Sequence, residues 1–136
     1  MNPHLLCSTI LSAILIIIIS CMKYKSNMLI IYTFISIGII TSLLNHGLRS
    51  ATLKYLDRFI ICINIIIIMY YIFLFETINY QCYTLGLIFI GICCYLYSKM
   101  NVISKVFKNV LHAFSHMITV LIFYLLHISP NKLLWI

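Results

Sequence analysis

The 136-residue chain is 64% hydrophobic and only 8% charged, with a mean hydropathy of +1.13. An ordinary soluble domain carries roughly 25% charged residues, so water is excluded as the main solvent of this chain. The formal charge of +7 comes from nine Lys and Arg residues against two acids; these cations sit in loops and form no continuous basic face, which argues against a nucleic-acid partner.

Apolar runs of about 18 residues or more without charge read as membrane-spanning helices, because a helix rises about 1.5 Å per residue through a hydrocarbon core of about 30 Å. Five runs fit. The first, residues 5–22, is followed by Lys23 and Lys25. No Lys or Arg precedes its apolar core and no small-x-small site follows, so it is expected to be a retained span. Ile18-Ile19-Ser20-Cys21 has the outline of a lipobox, but without a basic n-region Cys21 reads as a small apolar residue.

The second span, 27–48, ends before Arg49 and Lys54, with Gly47 as the expected helix stop. The third covers 59–75 and is closed by Glu76. Asp57 opens it, where the macrodipole favours a carboxylate, and is expected to act as a charged cap partnered by Lys54 or Arg58. Asn64, in mid-span, is expected to hydrogen-bond to a neighbouring helix. The fourth span, 78–98, is closed by Lys99, Lys105 and Lys108; Tyr70, Tyr71, Tyr80 and Tyr83 are expected to form an aromatic belt between spans three and four. The fifth, 109–130, precedes Lys132 and Trp135, which suit an interfacial anchor.

The fold predicted is therefore an all-α polytopic membrane bundle of about five helices in one domain. With the N-terminus inside, six Lys and Arg residues fall on inner loops and three outside, which favours an N-in, C-out orientation. The six cysteines show no C-x-x-C spacing and lie in or beside apolar runs, as packing residues do.

Polar side chains at membrane depth are costly, so each needs a reason. His112 and His116 stand one helical turn apart, a spacing that lets two imidazoles share a metal ion. Ser42 and His46 repeat that spacing at the end of the second span. Counting spans places Ser42, His46, Asp57, His112 and His116 at one face of the bilayer, and puts Glu76 and His127 at the other. Three histidines fill three positions of a tetrahedral zinc and leave one for water, the composition of a catalytic site. Zinc lowers the pKa of that water towards about 7. Asp57 could then accept its proton and Ser42 could hydrogen-bond a developing oxyanion.

This pattern resembles a superfamily of membrane hydrolases: Ser-x-x-x-His at the end of one span, Asp eleven residues after that His, and His-x-x-x-His at the start of the last span. The superfamily includes the alkaline ceramidases, the progestin and adiponectin receptors with the hemolysin III group, and the Per1 family of GPI-lipid remodelling proteins. The His46 to Asp57 interval and the segment His112-Ala113-Phe114-Ser115-His116 are most similar to the ceramidase and Per1 branches. The resemblance implies zinc held by His46, His112 and His116, with Ser42 and Asp57 in the catalytic surroundings and a membrane lipid amide or ester as substrate. The chain departs from the family in having five spans where seven are usual, and in Arg58 where alkaline ceramidases carry Glu. A reduced bundle of this kind implies a different lipid, a homo-oligomer that completes the pocket, or a structural zinc. The competing reading is a non-catalytic multi-pass protein, such as an assembly factor, a pore-forming oligomer or a receptor-like relative.

Overall fold

A computed structural model describes residues 3–22, 25, 28–48 and 50–129 of the chain. Lys23, Arg49, Lys132 and Trp135 lie outside the described residues. Five helices follow one another: α1 (Pro3–Met22), α2 (Leu29–Leu48), α3 (Ala51–Phe75), α4 (Ile78–Tyr97) and α5 (Lys105–Ile128). Each is long and apolar enough to cross a bilayer, and the chain is an all-α, multi-pass membrane bundle.

The distribution of polarity is that of a lipid-solvated protein. Ile17, Ile30, Phe59, Ile66 and Phe89 expose more than half of their surface, while Thr9, Ser12, Thr41, Ser42, Gln81 and Thr84 are buried. Lipid tails offer no hydrogen bonds, so hydroxyls and amides turn inward and find partners there. Thr9 donates to the carbonyl of Leu5 and Thr84 to that of Tyr80, each one turn back along its own helix.

Every helix packs against its sequence neighbour, and α1 also packs against α5. The five therefore form a ring of alternating direction, closed between the first and last helices. Ile68, Ile72, Ile118 and Phe123 belong to the apolar core inside it.

Two helices start earlier than expected. The α3 helix begins at Ala51, so Asp57 stands in its second turn and is no end cap; Ser50 occupies the cap position. In the same way α5 begins at Lys105, where the Ser104 hydroxyl accepts from the amide of Phe107. Charged residues of long reach are tolerated in the interfacial turns of a spanning helix because their head groups extend to water. Gly47 lies within α2, which runs on to Leu48. Tyr70 and Tyr83 are exposed on the outside of the ring, as belt residues are, whereas Tyr71 is buried in the core against Phe75.

Asn64 does bridge helices. Its amide donates to the carbonyl of Phe34 on α2 and to Ile60 on its own helix, both at 3.0 Å. Gly38 makes room for it: a Cβ there would lie 3.0 Å from the Asn64 nitrogen, and two carbonyls prevent that nitrogen from moving aside. At Gly86, in contrast, a Cβ would meet nothing within 4 Å. Gly38→Leu should lower stability by about 1–3 kcal/mol, the usual cost of overpacking. Gly86→Leu should not lower it, and should raise it by up to about 1 kcal/mol through the better helix propensity of Leu. Unfolding midpoints in a denaturing-detergent titration check the pair.

Candidate metal centre

Because the helices alternate in direction, one end of the ring gathers the start of α1, the end of α2, the start of α3, the end of α4 and the start of α5. The five residues singled out in the sequence all lie there, in two adjoining groups.

The first group is the imidazoles. His46 comes from α2; His112 and His116 come from successive turns of α5. Ring centroids are 5.3 Å apart for His46 and His112, 5.9 Å for His46 and His116, and 5.1 Å for His112 and His116. One ring nitrogen from each lies within 4.8 Å of the others. Tetrahedral zinc with Zn–N bonds of about 2.0–2.1 Å holds its nitrogens about 3.4 Å apart, so small side-chain adjustments complete the set.

The Nε2 atoms of His46 and His116 are buried and have no hydrogen-bond partner. His127, at the other end of α5, shows how the same chain treats a histidine that only packs. Its Nδ1 bonds to the carbonyl of Phe123 at 2.9 Å and its Nε2 to the hydroxyl of Tyr32 at 2.8 Å. A carbonyl can only accept, so Nδ1 carries the hydrogen and Nε2 accepts from Tyr32. Two orphaned imidazole nitrogens in one cluster cost several kcal/mol if left empty, by about 1–3 kcal/mol each. A cation that takes lone pairs from both fits the donor set; three neutral nitrogen ligands suit zinc better than magnesium or calcium.

The second group surrounds Asp57, which is buried. The hydroxyl of Ser42 donates to its Oδ1, and the amide of Asn45 donates to its Oδ2 at 2.8 Å. Asp57 thus pins α2 to α3 and is partnered by neither Lys54 nor Arg58 through a hydrogen bond. Ser115, between the two α5 histidines, bonds back to the carbonyl of His112 and stays out of the cluster.

A pocket of about 150 Å³ opens at this end, bordered by Asn45, His46, Asp57 and His112, with Leu5, Lys54, Arg58, Tyr95 and Lys99 around them. Asn45 and Lys99 belong to this lining but not to the sequence motif. Asn45 was visible as a polar residue at the span end, three positions after Ser42 and hence on the same helical face. Lys99 was visible only as a loop charge. Its ammonium lies 4.7 Å from the centre of the Tyr95 ring and 3.4 Å from Nδ1 of His112. Part of Lys99 remains open to water, but crowding around its ammonium lowers its pKa below the ordinary lysine value, with Arg58 and Lys54 adding to the effect and Asp57 opposing it.

Comparison of the chain with protein-family models, curated proteins and solved structures finds no match. The class of the molecule is thus set by its own features: a multi-pass membrane bundle with three converging imidazoles at one end.

Removing the carboxylate leaves the buried Ser42 hydroxyl and the half-buried Asn45 amide without their acceptor. Asp57→Ala should therefore cost about 1–3 kcal/mol. Adding Ser42→Ala should cost less than the sum of the two single changes, because both remove the same bond. A double-mutant cycle in detergent reads this directly; strict additivity would show that the bond carries no energy.

Proposed function

We propose that this chain is a zinc-dependent membrane hydrolase acting on a lipid amide or ester, with His46, His112 and His116 as metal ligands. The observation that carries the reading is the convergence of three imidazoles, two with buried and unpartnered Nε2 atoms, beside a pocket that also contains a hydrogen-bonded carboxylate. The similarity to the ceramidase and Per1 branches supports the same assignment of ligands.

A zinc ion so held supplies Lewis acidity, which makes water a nucleophile near neutral pH and polarises a carbonyl. The chain's own residues handle the protons. Asp57 takes the proton of the attacking water on Oδ1. Once protonated there, it becomes the donor to the Ser42 oxygen, and the Ser42 hydroxyl is free to turn and donate to the oxyanion of the substrate. Asn45 holds the other carboxylate oxygen throughout and fixes the rotation of the group. Asp57 then passes its proton to the leaving amine or alkoxide. The orientation that accords with the distribution of basic residues is N-in, C-out, with the site on the inner face.

Detergent-purified protein should contain about one zinc per chain by elemental analysis. His116→Ala should lose it and His127→Gln should keep it. Wild-type protein that stays metal-free after zinc loading would sink the hydrolase reading. Asp57→Asn should retain the metal yet lose about 10²–10⁴-fold in the rate of lipid hydrolysis, the usual contribution of a general base.

Lys99 competes for His112. Lys99→Met should tighten zinc binding by about tenfold or more, by removing a positive charge close to the ion. Competition with a fluorescent chelator measures the change.

A further inference from the structure

Lys54, Arg58 and Lys99 border the same pocket as His46, His112 and Asp57. Three cations there face one carboxylate, whose two oxygens are already engaged by Ser42 and Asn45. The chain has only one other acid, Glu76, and it caps the far end of α3. The pocket therefore holds two positive charges with no protein counter-charge, before any metal is added.

Basic residues at the end of a span commonly set topology, and that duty asks only for exposure to water. Lys105 meets it on the same face, exposed and outside the pocket. Lys99 is exposed as well, but it borders the pocket. It lies over the Tyr95 ring and against His112, so an anion that reaches its ammonium sits beside the imidazole cluster. Arg58, half-buried, adds a planar fork of donors suited to an anion with several oxygens.

We propose that this pocket recognises a lipid whose headgroup is a phosphate monoester, with Lys54, Arg58 and Lys99 binding the phosphate. The monoester carries about −1.5 to −2 charges near pH 7, which matches the uncompensated charge of the pocket. Size points the same way. A volume of about 150 Å³ is well below the roughly 300–1,000 Å³ of pockets that enclose whole ligands, so the headgroup enters and the acyl chains stay in the bilayer. Treating this pocket as the substrate site rests on the hydrolase reading; the binding of phosphate by three cations does not require the metal.

The test is native mass spectrometry of the 136-residue chain in detergent, with equal amounts of dioleoyl phosphatidic acid and dioleoyl phosphatidylcholine. Wild type should retain the phosphatidic acid at least about tenfold more, since each tenfold step is about 1.4 kcal/mol. The Arg58→Gln/Lys99→Gln pair should bring the ratio near one, and Lys105→Gln should leave it unchanged. A ratio near one in wild type, or an equal loss in Lys105→Gln, overturns the proposal, the latter in favour of general surface charge. Inorganic phosphate is tested in a separate arm. If it displaces the lipid at matched concentration, the site belongs to free phosphate and the lipid assignment fails. Zinc content is measured on the same samples. Zinc without lipid preference overturns the headgroup site alone; lipid preference without zinc overturns the hydrolase reading and keeps the headgroup site.

Discussion

A buried polar atom in a membrane protein has no water to fall back on, and this constraint organises both ends of the bundle. The two ends meet it differently. At one, α5 and α2 are joined by His127 and Tyr32, with both ring nitrogens engaged. At the other, the same two helices bring His46, His112 and His116 together and leave two nitrogens without partners. Hydrogen bonds close the first junction completely. The second leaves two imidazole nitrogens that hydrogen bonds do not satisfy, and under the proposed function a metal ion would take their lone pairs.

Asp57 is the hinge between the cluster and the helix frame. Had it been an exposed cap on α3, its charge would have been spent on solvent and on the macrodipole. One turn further into the helix it meets Ser42 and Asn45 across the α2–α3 interface. The bond that fixes the helices is thus also the bond that orients the carboxylate. Lower down the same interface, Gly38 and Asn64 repeat the device with an amide and a carbonyl. Small residues and amides let α2 and α3 approach closely, as they do where lipid gives no hydrophobic drive for helix association.

Much of this was legible in the sequence because a bilayer imposes parity. Successive spans must alternate in direction, so residues at the end of the second, the start of the third and the start of the fifth share a face whatever the tilt. That rule alone grouped His46, Asp57, His112 and His116 and set His127 apart. Helix starts were less legible, since Lys54, Asp57, Arg58 and Lys108 look like stops when charge is the only guide, yet the long basic side chains reach the interface from within a helix and buried Asp57 is satisfied by Ser42 and Asn45. The contact of Lys99 with His112 depends on how the connection from α4 to α5 folds back, and no periodicity records that. Tyr71 and Tyr70 are neighbours in sequence and face opposite ways, a difference that belt composition cannot express.

The ring is sealed between its first and last helices, and a single lysine marks the seam. Lys25, in the connection from α1 to α2, donates to the carbonyls of Leu126 and Ser129 at 2.7 and 2.8 Å, across 101 and 104 positions of sequence. Chains are made and inserted from the N-terminus onward, so the first hairpin enters the bilayer long before the end of α5 exists. Until then the inward stripe of α1, with Thr9 and Ser12, has only part of its final surroundings. Assembly of this bundle is therefore gated by translation of its last helix, which delivers in one step the seal of the ring and two of the three imidazoles.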